Sequence, residues 1–160
     1  MKKLALILVA LLSLNGLSAQ VKNDKGLYIN EGSSPALANG ELFNGVISEM
    51  HDGIKSDFTV KEGVVNGPAT YFYASGKIME TGLFTNGQKD QKWTRYNENG
   101  TVSAIAFYNL GKKTGTWLVF DENGKKRFEM NYTDGQKTGT WTSWDENGAV
   151  AGVKDYSKLN

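Results

Sequence analysis

A chain of 160 residues carrying 18 basic and 17 acidic side chains is long enough for one domain, and it has no charge excess to draw nucleic acid or an anionic membrane. One histidine and no cysteine mean no disulfides, and they exclude a dedicated zinc site by count. Whatever holds the domain together must be packing and hydrogen bonding.

The first nineteen residues stand apart. Lys2 and Lys3 precede an apolar or small-residue run, Leu4 to Leu14, and Asn15, Gly16, Leu17, Ser18 and Ala19 form a small-residue exit. That order predicts a signal peptide over residues 1–19, cleaved near Ala19, because the run falls short of the roughly 20 apolar residues a spanning helix needs. The mature chain is then expected to be exported, periplasmic or secreted. Without Lys2 and Lys3, 16 basic residues face 17 acidic ones, a net charge near −1. Residues 20–40 are rich in Gly, Ser, Asn and Pro without periodicity, and they predict an irregular leader or N-terminal cap before a repeat domain at 41–160.

From residue 63 onward glycines recur at a fixed interval. Gly63, Gly87, Gly111 and Gly135 are each 24 residues apart, and so are Gly76, Gly100, Gly124 and Gly148. Aromatic residues keep the same period: Trp93, Trp117 and Trp141, with Ala69 in the corresponding first place; Phe72, Tyr96, Phe120 and Trp144; and Phe84, Tyr108, Tyr132 and Tyr156. Upstream, Asn44 to Ile47 and His51 to Gly53 repeat the pattern with one residue lost, and Phe58 is expected to keep the third aromatic column. Self-similarity at such a period means a repeat architecture.

Each unit reads as a β-hairpin. Thr116 to Phe120 is β-branched and aromatic, which suits a pleated surface, and Asp121-Glu122-Asn123-Gly124 is a turn. Lys125 to Tyr132 alternates again, and Thr133-Asp134-Gly135 turns the chain back. A helix is disfavoured, since glycine every 11 or 13 residues costs about 1 kcal/mol each in a helix interior. One hairpin is marginal in water. The expectation is therefore an all-β, elongated antiparallel meander of about five stacked 24-residue hairpins. Trp117 and Phe120, three apart on a strand, should face opposite sides, so the Trp column lines one face and the Tyr96, Phe120, Trp144 column the other.

The pattern G-x-x-x-G-x-W-x-x-[YFW]-x-x-x-G followed by an aromatic resembles the MORN repeat in its bacterial variant form, as in the YwqK-type antitoxin group. It spans about Asn39 to Tyr156 and is clearest in Gly111, Gly115, Trp117, Phe120 and Gly124, and in Gly135, Gly139, Trp141, Trp144 and Gly148. It departs at Gln91, where other units have glycine, and at Ala69, where they have Trp. The resemblance implies stacked hairpins with a binding or scaffolding role and no chemistry of their own. An exported immunity protein would fit both the antitoxin likeness and the leader.

Groups able to do chemistry are few. His51 sits in His51-Asp52-Gly53 and reads as a turn residue, with nothing marking a nucleophile nearby. The Asp-Glu-Asn-Gly turns at Asp121 and Asp145 carry oxygen ligands, but calcium needs six to eight converging on one point, and Asp and Asn are what tight turns select. Gly82 and Gly87 have phosphate-loop separation, yet Gln88 stands where the lysine belongs. No metal, cofactor or catalytic residue is expected. The aromatic columns remain, and an exposed aromatic patch marks a binding surface. The candidate residues are Trp93, Tyr96, Trp117, Phe120, Trp141 and Trp144, taking a protein partner or, alternatively, a glycan stacked on the Trp column or a membrane surface.

Overall fold

The computed structural model describes residues 41–157 throughout and, before them, three two-residue strands: β1 (Val21–Lys22), β2 (Tyr28–Ile29) and β3 (Leu37–Ala38). β1 pairs with β2, and β3 with β4 (Glu41–Leu42). The expected signal peptide, residues 1–19, and the rest of the leader lie outside the described residues. Ten strands form one antiparallel sheet: β5 (Gly45–His51), β6 (Ile54–Lys61), β7 (Val64–Phe72), β8 (Ile78–Thr85), β9 (Gln88–Tyr96), β10 (Val102–Asn109), β11 (Lys112–Phe120), β12 (Lys126–Thr133), β13 (Gln136–Trp144) and β14 (Val150–Asp155). Spatial order equals chain order, with no crossover. This is the expected all-β meander of hairpins.

The two glycine series make two kinds of turn on opposite sides of the sheet. On one side, Glu62-Gly63, Asn86-Gly87, Leu110-Gly111 and Asp134-Gly135 are two-residue turns with both φ angles positive. That backbone twist matches the twist of the strands it joins. On the other side, three-residue loops end in Gly76, Gly100, Gly124 and Gly148, each glycine amide donating back to the residue that opens the loop, such as Gly76 N to Tyr73 O at 2.8 Å. The first hairpin closes with Asp52-Gly53 alone, so the residue lost from that unit is lost from its loop.

Register slips twice in every complete repeat. The ladder shifts where Gly67, Gln91, Gly115 and Gly139 enter with positive φ, and again beside Met79, Ser103 and Arg127. Bulges bend a strand and increase its twist. The sheet is therefore bent and twisted at each of these positions. Trp93 and Trp117 are only 1% and 3% exposed although no second layer covers them among the described residues.

The inner face is a ladder of rings in which the Trp and Tyr columns interleave. Phe84 meets Trp93 at 5.1 Å, Tyr108 meets Trp117 at 5.2 Å, Trp117 meets Tyr132 at 5.0 Å and Trp141 meets Tyr156 at 4.8 Å. Contacts in this range are worth about 0.5–1.5 kcal/mol each beyond the area they bury. The slips in register also leave carbonyls for the indoles. Trp93, Trp117 and Trp141 donate Nε1–H to Leu83 O, Phe107 O and Asn131 O at 3.2, 3.0 and 3.0 Å, each ten residues back.

One expectation is corrected. Phe58 does not hold the third aromatic column; Val60, 2% exposed, does, pairing with Val65 as Phe84 pairs with Lys89. Phe58 pairs with Ala69, and Ala69 pairs with Gly82 on its other side. The reason is volume. In the next hairpin Trp93 lies across Gly82, where a Cβ would come within 2.1 Å of the indole. In the first, Ala69 supplies no ring, so Phe58 fills the space from the neighbouring strand and touches Tyr71 and Phe84.

Candidate functional site

Alternation along each strand divides the six predicted aromatics. Trp93 and Trp117 are buried within the inner ladder and Trp141, in the last full repeat, packs against it half-buried. Tyr96, Phe120 and Trp144 lie on the outer face, all half-buried. The structure thus brings the candidates together as two groups on opposite faces.

The inner rings are roofed by lysines that the sequence reading did not single out. Lys89 Nζ stands 3.8 Å from the Trp93 centroid, and Lys113 and Lys137 stand 4.6 Å from Trp117 and Trp141. Each also reaches the following tyrosine ring: Tyr108 at 5.6 Å, Tyr132 at 5.2 Å and Tyr156 at 5.3 Å. The signal was in the sequence, since each lysine comes two residues after a turn glycine. Their long stems cover apolar surface while the ammonium stays at the rim. A sugar ring seeking Trp93 or Trp117 would have to displace a lysine first.

Burial sets the ionisation of this row. It pushes the Tyr132 hydroxyl up to about 12, with Tyr156 adding to the effect, and raises Tyr108 as well, helped by the charge of Glu80. Burial lowers Lys113, and repulsion from Lys137 lowers it further. Only Lys89 of the three lysines forms an ion pair among the described residues, to the buried Glu80 at 3.4 Å.

The outer face carries a stripe near the three-residue loops. Cross-strand partners there are Phe72 and Ile78, Tyr96 and Val102, Phe120 and Lys126, and Trp144 and Val150. Ile78 is 45% and Val150 60% exposed, and Lys126 Nζ lies 4.3 Å from the Trp144 ring. An aromatic beside an aliphatic or a lysine stem recurs at one position of four successive hairpins, on a rigid sheet. Such a surface can take an apolar ridge or an extended segment of another protein, because its apolar area is already ordered.

The loops beside this stripe are knitted together. Lys77 Nζ donates to Glu98 O at 2.7 Å, Asn99 Nδ2 to Glu122 O at 3.3 Å and Lys125 Nζ to Glu146 O at 3.3 Å. Arg127, 5% exposed, donates to Asp145 O and lies 3.7 Å from Asp121. Asp121 Oδ1 accepts from the amides of Asn123 and Lys125, and Asp145 Oδ1 from those of Asn147 and Ala149. These carboxylates close their own turns. His51 ends β5 with its ring 3.2 Å from Asp52, exposed at the first turn. Among the described residues no three His, Asp or Glu side chains gather as a metal site would require.

No curated protein matches the chain. The MORN repeat variant model matches residues 65–86 and 113–134. Each match runs from the start of a Trp-column strand, through its three-residue loop, to the next two-residue turn, and the two lie two periods apart. The hairpins between and after them share the same turns, bulges and ring positions, so two units of the chain match the MORN repeat variant and the others repeat their geometry.

Proposed function

We propose that this protein is an exported, non-enzymatic binding or scaffold module whose outer aromatic stripe docks another protein at the bacterial envelope. The observation that carries the reading is the division of the aromatics between faces. The inner ladder satisfies packing, while Tyr96, Phe120 and Trp144 with Val102, Ile78 and Val150 form an ordered, half-exposed apolar row that the sheet itself does not require. Aromatic anchors on a rigid frame are the usual carriers of interface energy. The leader supplies the route to the envelope.

The test uses mature protein, residues 20–160, bearing a photo-crosslinking side chain at Phe120 and exposed to the native envelope fraction. The reading expects one protein to be crosslinked, and expects Trp144→Ser with Tyr96→Ser to remove that product at unchanged melting temperature. Crosslinking that survives both substitutions would place the partner elsewhere on the molecule.

A further inference from the structure

The two end strands of the sheet are each paired on one side only among the described residues, β14 with β13 and β5 with β6. Each repeats an interior strand. β14 faces β13 in the register in which β12 faces β11, with Lys154 opposite Trp141 as Met130 is opposite Trp117. β5 faces β6 as β7 faces β8, with Ile47 opposite Phe58 as Ala69 is opposite Gly82. Interior strands of these two kinds pair with each other, as β12 does with β13. β14 is thus a strand lacking its successor, and β5 a strand lacking its predecessor. The unpaired backbone groups of such an edge template the addition of a matching strand. The side chains at both ends are apolar where water reaches them. Val46 and Met50 on β5 are 63% and 66% exposed, and Val150 and Val153 on β14 are 60% and 64% exposed, more than any other large apolar side chain among the described residues. All four lie on the outer face, since Ile47 and Lys154 take the inner one and Val150 is opposite Trp144.

We propose that the protein assembles head to tail with further copies of itself, β14 of one protomer pairing antiparallel with β5 of its partner. Set in the register of β12 and β13, Val153 comes opposite the partner's Ser48 and Gly152 opposite the partner's Glu49, following Glu129 with Thr142 and Phe128 with Ser143. Val153 then sits between Val46 and Met50 of the partner subunit on the outer face. Lys154 lies diagonal to the partner's Glu49 on the inner face, a separation that long side chains can span. Lys154 repels a strand that brings no acid, and β5 brings one. Pairing β14 with a second β14, or β5 with a second β5, sets like charges together on that face instead. β14 ends at Asp155, which falls opposite the partner's Asn44, clear of the hairpin of β3 and β4. A heterologous contact of this kind adds copies in one direction. Val153, Lys154 and Glu49 are not part of the outer stripe, so this assembly and the docking proposed above can fail separately.

Sedimentation velocity of the mature protein, residues 20–160, at rising concentration reads the assembly. Expected are a dimer and then larger species in reversible exchange. Val153→Lys should weaken association roughly tenfold or more at unchanged melting temperature. Lys154→Glu and Glu49→Lys should each weaken it, and the two together should restore it. If Glu49→Lys does not fold, cysteines serve instead, since the chain has none of its own. Oxidising a mixture of Val153→Cys protein and Ser48→Cys protein should join the two variants in preference to either with itself. A monomer at every concentration, growth that stops at a dimer, indifference to Val153→Lys, a charge swap that restores nothing, or unselective crosslinking would each overturn the proposal.

Discussion

Leu110 is the residue that fits its place least. It takes φ of 44° in a two-residue turn whose counterparts are Glu62, Asn86 and Asp134, and its side chain is 51% exposed. A branched apolar residue in the left-handed region costs roughly 1 kcal/mol, whereas Asn tolerates it. Leu110→Asn should therefore raise the melting temperature by roughly 2–4 °C in a differential scanning measurement. Leu110 N also donates to Asp90 Oδ1 at 3.2 Å, and this bond, with the Thr85 hydroxyl, holds the Asp90 carboxyl below its ordinary value. The tyrosines predict the alkaline limb. Tyr132 is neutral in the fold up to about pH 12, against 10.0 unfolded, so its contribution is complete below pH 10 and is lost as pH rises toward 12. Lys113, with its lowered value, acts in the opposite sense but is less buried. Urea midpoints against pH should fall between pH 10 and 12, together with delayed tyrosinate absorbance at 295 nm. Midpoints that stay level while every tyrosine titrates near 10 would contradict the burial of these rings.

A single hairpin shows why some of the fold was legible and some was not. The turn glycines and the strand pattern of Thr116 to Tyr132 mark strand, loop and strand directly, because turns impose local backbone demands that local sequence must meet. The partition of Trp117 from Phe120 follows from alternation alone. What alternation cannot supply is volume shared across strands. Phe58 was expected in one column and stands in another because Ala69, on the facing strand, leaves a space that only the pairing register reveals. The lysine roof is less legible for a related reason: its period is visible, but that each lysine lies over the Trp four residues on along its own strand and the Tyr of the following strand emerges only from the folded sheet. The compensation is testable as a cycle. Phe58→Ala alone should cost roughly 3–5 kcal/mol and Ala69→Trp alone roughly 1–3 kcal/mol, because the new indole meets Phe58. The double variant should lose less than the sum of the two, with a coupling of about 0.5–3 kcal/mol in urea unfolding. Strict additivity would mean the two positions do not share a space.

At the scale of the whole molecule, each hairpin buries its rings only against the next. Repeat arrays of this kind draw their stability from nearest-neighbour interfaces, so the middle of the array should be held more strongly than its ends. The terminal strand agrees: β14 is exposed along its length, with Val150 and Val153 60% and 64% open. It places Lys154 opposite Trp141 where the earlier repeats have Ala106 opposite Trp93 and Met130 opposite Trp117. An inward charge on an edge strand discourages pairing with a strand that brings no acid. Repetition here is first an architectural device, and the proposed binding acts on what the repeated frame leaves outside, the outer stripe. Gly82 illustrates the constraint from within. Its replacement by Ala should cost about 1–3 kcal/mol through collision with Trp93, visible as a lower urea midpoint.

The most direct test of this division between frame and surface is urea unfolding of Trp117→Ala beside Trp144→Ala. The two residues belong to one amino-acid type, lie one repeat apart, and sit on opposite faces. The account predicts that Trp117→Ala loses roughly 3–5 kcal/mol, most of a marginal domain's stability, while Trp144→Ala shifts the midpoint little and instead abolishes partner crosslinking at Phe120. Equal losses of stability from both, or a larger loss from Trp144→Ala, would contradict it.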